Sequence, residues 1–364
     1  MRPLASLLVA VALLHGLSLG SAAALEPLPE GDTGIAARHP GDRGIAEDPA
    51  VRFADDFEAS ASLADLAQRW DVLINADHLE LAPEVGDGPR GARSLQLRIP
   101  QQGQPLATGV AKTLVESQDR LFLRWYGKFE ADWWVAGNSV HNGASISARY
   151  FVNGMATPGQ PADGRNKFLV NFESENSVGD APGHLNAYVY WPEQGDIWGD
   201  HFFPSGLVLP FSVARSGVAT FGADFVGRPD FAPEPGRWHC YEYMVQANTP
   251  ARRDGRIAMW LDGTLIADFP NLRLRDIAEL KIDRFGLDLY IADNSARANR
   301  KWQDNVVAAT SYIGPIAEQH AILYIPAAYQ TFIRPHSQGR AFTRPHSQDR
   351  ARIPIKRAYP FHGR

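Results

Sequence analysis

Residues 184–191 read His184-Leu185-Asn186-Ala187-Tyr188-Val189-Tyr190-Trp191, and the stretch alternates without a break. Side chains on an extended strand point to opposite faces in turn, so Leu185, Ala187, Val189 and Trp191 share one face and Asn186, Tyr188 and Tyr190 the other. The apolar set suits a core, and the opposite set is unusually rich in hydrogen-bonding groups. The preceding run divides in the same way: Phe168, Val170 and Phe172 stand against Lys167, Asn171, Glu173 and Glu175.

Working outward, Ile146 and Ala148 oppose Ser145, Ser147 and Arg149, and within Leu121 to Asp132 the polar set is Arg124, Tyr126, Lys128 and Glu130. From Val51 to Ile316 the chain consists of short runs rich in β-branched and aromatic residues, separated by Gly, Pro, Asn and Asp clusters. That pattern predicts an all-β sandwich or barrel. Only Ala61 to Gln68 reads as helical.

The flanks read differently. Arg2, the apolar run Leu4 to Leu14 and Ser21-Ala22-Ala23-Ala24 form a signal-peptide pattern over residues 1–24, which implies export to a periplasmic or extracellular location. The apolar run is shorter than the roughly 20 residues of a membrane span, so none is expected in the mature chain. Residues 25–50 are rich in Gly, Pro and Asp with no apolar period and are expected to be a disordered linker to a domain over 51–316. Residues 317–364 carry a tandem ten-residue repeat, RPHSQGRAFT then RPHSQDRARI, and are expected to be disordered.

The formal net charge of −5 is unevenly spread. Residues 317–364 hold eight Lys or Arg against Glu318 and Asp349, which leaves −11 for residues 1–316. An acidic body opposes nucleic-acid binding, whose electrostatic contribution needs the other sign. Cys240 is the single cysteine, so no intrachain disulfide forms, and its place in Trp238-His239-Cys240-Tyr241 reads as a buried strand thiol.

The stretch Tyr188-Val189-Tyr190-Trp191-Pro192-Glu193-Gln194 with Trp198-Gly199-Asp200 resembles the Y-x-Y-H-P-[DE]-Q…[YW]-G-[DE] segment of polysaccharide lyase family fourteen, the alginate and glucuronan lyase group. Gly236-Arg237-Trp238, Asn248-Thr249-Pro250, Asp254-Gly255 and Trp260-Leu261-Asp262-Gly263 are similar to that group's G-x-W…N-T-P…D-G…W-x-D-G pattern. The resemblance covers residues 120–316 and implies an all-β, concanavalin A-like jelly-roll β-sandwich of two antiparallel sheets that binds a uronate-containing polysaccharide. The chain departs from the family where an Arg is usual: it has Asn171-Phe172-Glu173 there, and the family's K-L-P-G-L segment is replaced around Ser139-Val140-His141.

β-Elimination on a uronate needs a group to neutralise the C6 carboxylate, a base for the C5 proton and an acid for the leaving O4. The resemblance and the polar face together make Tyr190 the expected base and acid, with Tyr188 supporting and His141 or His184 as alternative base. Asn171, Arg149 and Lys167 are expected at the carboxylate, where preorganised donors stabilise developing charge. Glu173, Asn186, Trp191, Arg124 and Lys128 complete the expected substrate contacts. No metal or other cofactor is needed; a cation, if bound, would be a structural Ca²⁺ on loop carboxylates.

Two other readings compete. A non-catalytic lectin-like jelly roll would use the same face, with Trp133, Trp134, Trp191 and Trp198 as stacking surfaces, because fold alone does not decide function. A glycoside hydrolase would need two flanking carboxylates, but Glu173 and Glu175 are same-face neighbours only about 7 Å apart along a strand.

Overall fold

The computed structural model describes residues 25–83, 91–135, 139–175, 179–209 and 217–318. Residues 1–24, where a signal peptide is expected, and the repeats of the tail lie outside the described residues.

The alternation seen in the sequence becomes two antiparallel sheets with their apolar faces together. One, here the site sheet, runs in the order Val208–Leu209, Asp200–Phe202, His184–Tyr190, Phe168–Glu175, Ala144–Ala148, Ile282–Ile291, Leu106–Gln118 and Val72–Ile74, with Val140–His141 also paired to Ile282–Ile291. The other, the back sheet, runs Thr264–Leu272, Gly255–Leu261, His239–Gln246, Arg120–Phe129, Asn299–Ala309, Ser94–Ile99 and Leu79–Ala82, with Val51–Asp55 on Asn299–Ala309. Phe168, Val170, Phe172, Leu185, Ala187 and Val189 of the site sheet meet Leu121, Leu123, Trp125, Tyr243, Ile257 and Met259 of the back sheet in one core. The jelly-roll β-sandwich expected from the sequence is therefore the fold.

Details follow local chemistry. The helix Leu63–Arg69 opens at Ser62, whose Oγ accepts from Asp65 N–H at 3.2 Å. Asp262 at φ 50° and Gly263 at φ 78° make the tight turn between Gly255–Leu261 and Thr264–Leu272. Cys240 is a buried free thiol.

Residues 25–50 correct the linker expectation. They form three short 3₁₀ turns, Ala36–Arg38, Pro40–Asp42 and Ile45–Glu47, and lie as a strap on the outer face of the back sheet. Ile35, Ala36 and Ile45 are buried against Phe122, Trp260, Val307, Tyr312 and Ile313. The strap is stitched by backbone bonds from Gly31 N–H to Gly263 O, Ile35 N–H to Tyr312 O and Ala36 N–H to Ile313 O at 2.8–3.0 Å. Irregular 3₁₀ turns carry no 3.6- or 2-residue period, so such a segment looks like a linker in sequence although it is packed.

Candidate functional site

Register assembles the polar face of the site sheet. Asn171 lies opposite Tyr188 on one side and Ser145 on the other; Tyr188 lies opposite His201, and Glu173 opposite Asn186. Directly opposed side chains start about 5 Å apart, so Ser145, Asn171, Tyr188 and His201 form a continuous row across four strands. His141 joins from the short strand Val140–His141, opposite Tyr290.

The centre of the row is a histidine–carboxylate pair beside a phenol. His141 Nδ1 is 3.0 and 3.1 Å from the two Glu173 carboxylate oxygens, and Asn171 Nδ2 donates to the same carboxylate at 3.2 Å. The His141 ring is 4.9 Å from the Tyr188 ring, and His201 flanks Tyr188 on its other side at 4.8 Å. Glu173 is buried, whereas the His141 side chain remains 30% exposed, so the imidazole is the member of the pair that reaches solvent.

Burial and charge tune these groups apart. Burial works against a charged His141, but the adjacent Glu173 carboxylate outweighs it and raises the imidazole above its ordinary 6.5. Burial pushes His201 down to about 4 despite the Glu173 charge, so it stays neutral. Burial raises the Tyr188 phenol well above its usual range, so it keeps its proton at neutral pH. Asp288 on the same face is raised by burial to about 6. Lys301 reaches in from the back sheet to donate to Asn142 O, and burial lowers its amine to about 7. Asn171 Oδ1 and Asp288 Oδ1 are buried without a hydrogen-bond partner, two acceptors open to a donor.

The structure brings together His141, Tyr188, Asn171, Glu173 and Asn186, the last accepting from His201 Nδ1–H at 3.0 Å through Oδ1. Tyr190 shares the face but is 1% exposed, and its Oη accepts from Gly159 N–H at 3.1 Å beneath the segment after Tyr150. Lys167 is buried beside it, with Nζ 5.1 Å from the Tyr190 ring centre and 4.8 Å from that of Tyr150, donating to Thr157 O and Oγ1. Burial lowers its amine to about 8. His184 lies opposite Glu175 at the start of its strand, away from Tyr188.

Four expectations are corrected. Arg149 leaves its strand at φ 49° and turns its guanidinium to Glu279 O, breaking the alternation that linked it with Ser145 and Ser147. Arg124 and Lys128 belong to Arg120–Phe129 of the back sheet and point away from the site sheet; parity tells which residues share a face of one strand, not which sheet the strand joins. Trp191 is fully buried and donates its indole N–H to Asp200 Oδ2 at 2.7 Å. Trp133 is likewise buried, whereas Trp134 and Trp198 are exposed. His201, Asp288 and Tyr290 were not singled out in sequence; Asp288 and Tyr290 alternate with Phe285, Leu287 and Leu289, the same signal that marked Tyr188.

No family model matches the chain, and no curated protein matches it. Among solved structures it is similar to the alginate lyase Aly36B, at 14% identity and a TM-score of 0.47 over 74% of this chain and 98% of that one. It is also similar to the PL-14 alginate lyase from Aplysia kurodai, at 13% identity and 0.48 over 71% and 99%. The endo-beta-1,4-glucuronan lyase from Trichoderma reesei follows at 14% and 0.45 over 71% and 95%. These likenesses concern chain path alone; the chemistry below rests on this chain's own side chains.

Proposed function

We propose that the protein is an exported polysaccharide lyase that cleaves a uronate-containing chain by β-elimination. The observation that carries this reading is the His141–Glu173 pair set beside the Tyr188 phenol. With Nδ1–H donated to Glu173, the ring presents the Nε2 lone pair to the cleft as a base. That nitrogen takes the C5 proton; the C5–H electron pair becomes the C4=C5 double bond as the C4–O4 bond breaks. Tyr188, held protonated, gives its proton to the leaving O4. The C6 carboxylate lies against the Asn171 amide, with the Lys167 amine adding positive potential behind Tyr190. This reading moves the base from Tyr190, whose hydroxyl is enclosed, to His141.

A non-catalytic binding protein is the second reading. It is favoured by the Tyr188 and Tyr190 hydroxyls, both of which already accept backbone N–H groups, from Gly199 and Gly159. One experiment separates the two: ultraviolet absorbance of the unsaturated uronate, followed with alginate, polyglucuronate and glycosaminoglycans as substrates. A rise that falls by about 10²–10⁴ in His141→Ala and in Tyr188→Phe supports elimination at this site. A flat trace with every polymer, alongside retardation of the protein by one of them, overturns the lyase reading in favour of binding.

A further inference from the structure

The outer face of the back sheet carries a second polar groove, far from the residues used above in the sense that the whole sandwich core lies between the two faces. Register builds it: Glu80 lies opposite Gln96, Gln96 opposite Trp302, and Trp302 opposite Lys128, a row across four adjacent strands. With strands about 4.8 Å apart the row is roughly 15 Å long, enough for several sugar rings end to end. Beside it Arg98 lies opposite Arg300. The groove is a shallow, solvent-open trough of about 490 Å³ lined by Glu80, Pro83, Gln96, Arg98, Arg300 and Trp302.

Its chemistry is specific. Arg98 is exposed and makes no ion pair among the described residues. The Arg300 side chain is half exposed, with Nε 3.4 Å from Glu130 Oε2. Two neighbouring guanidinium groups match carboxylates borne on a polymer. Gln96 Nε2 donates to Glu80 Oε2 at 2.8 Å, which fixes the Glu80 carboxylate as an acceptor for sugar hydroxyls. Trp302 lies on the groove wall, its ring steadied by Lys128 Nζ at 5.2 Å, and Lys128 in turn lies 5.6 Å from the Trp238 ring. An indole surface, paired cations and a hydroxyl acceptor are the groups that recognise an acidic sugar chain.

We infer that this groove is a second binding site for an anionic, uronate-bearing polysaccharide, which holds the protein on the polymer while the opposite sheet works on it. The inference rests on the polymer class of the proposed function, though not on elimination occurring. A second contact converts later encounters into intramolecular ones and raises residence on a polymer network without new chemistry.

The test is retardation of the full-length protein in gels containing alginate or polyglucuronate, with dextran as neutral control. The His141→Ala variant serves as background so that the matrix is not consumed. Relative to each variant's mobility in a gel without polymer, adding Arg98→Ala and Arg300→Ala is expected to weaken retardation by about fivefold to tenfold in the acidic gels and leave any retardation by dextran unchanged. In the His141 background-free protein, the same double variant should split short uronate oligosaccharides at the parental rate. Unchanged retardation in the double variant overturns the groove, even if the ultraviolet assay shows cleavage. Lost retardation with no cleavage of any polymer supports the groove while sinking the lyase reading.

Discussion

Two polar clusters, one on each sheet, start from the same sequence signal and end in opposite conditions. On the site sheet, His141, Glu173, Asn171 and Tyr188 face outward and His141 stays partly open. On the back sheet, Arg124, Tyr126 and Glu242 also face outward, but the strap and the chain after Tyr312 cover them. Arg124 is fully buried, paired with Asp42 of the strap and donating to Asn305 O and Gly314 O. Glu242 accepts from Ile313 and Gly314 N–H at 2.8 Å each, and burial raises its carboxyl to about 7. Alternation selects a face; what lies over that face decides whether its polar groups serve a ligand or the fold.

The comparison is broken most directly by exchanging the effects of one substitution in each cluster. His141→Ala should abolish most turnover while the urea midpoint scarcely moves. Arg124→Ala should do the reverse, because it empties a fully buried site and leaves the largely covered Asp42 carboxylate without its partner: a loss of about 3 kcal/mol in denaturant titration, with turnover per folded molecule retained. If Arg124→Ala instead lost activity at unchanged stability, the covered cluster would be functional and the contrast wrong.

Gly34 probes the cover itself. A Cβ there would sit 2.2 Å from Ile313 O, a backbone atom that cannot swing aside. Gly34→Ala is expected to lift the strap and cost about 1–3 kcal/mol, with faster hydrogen exchange at Ile313 and Gly314 as the local readout.

The smallest effect sharpens the open cluster. His141 must be neutral to act as base, and its raised pKa puts the acid limb of kcat/KM above pH 6.5. Glu173→Gln removes the charge that raises it, so the limb should move to lower pH even as the rate falls. The linked stability has the matching sign: the contribution of the protonated ring is full below pH 6.5 and is lost as pH rises through the higher folded value. A limb that stays in place in Glu173→Gln would show that another group, such as Asp288, sets the profile.

How much was legible in sequence follows from the same physics. The sandwich and the faces of 168–175 and 184–190 were readable because a period of two survives in any strand with one face buried. Tyr188, Asn171 and Glu173 emerged together for that reason. Sheet membership was not readable, since pairing is set by long-range contacts; Arg124 and Lys128 were therefore placed on the wrong face of the molecule. Trp191 was misread because its indole N–H finds Asp200 inside the core, a partner supplied by the next strand. Arg149 escaped because one residue at positive φ ends the alternation.

The strap also sets an order of events. Trp260 Nε1 donates to Pro29 O across 231 positions of chain, and Tyr312 Oη to Gly31 O across 281. Contacts this distant in sequence close last, because the intervening chain must be gathered first. The strap, first of the domain in sequence, waits for almost the whole domain before its landing place exists. Until Ile313 is made, Trp260 stays uncovered and Arg124 lacks part of its setting. The strap thus acts as a seal of completeness that only a finished domain can close.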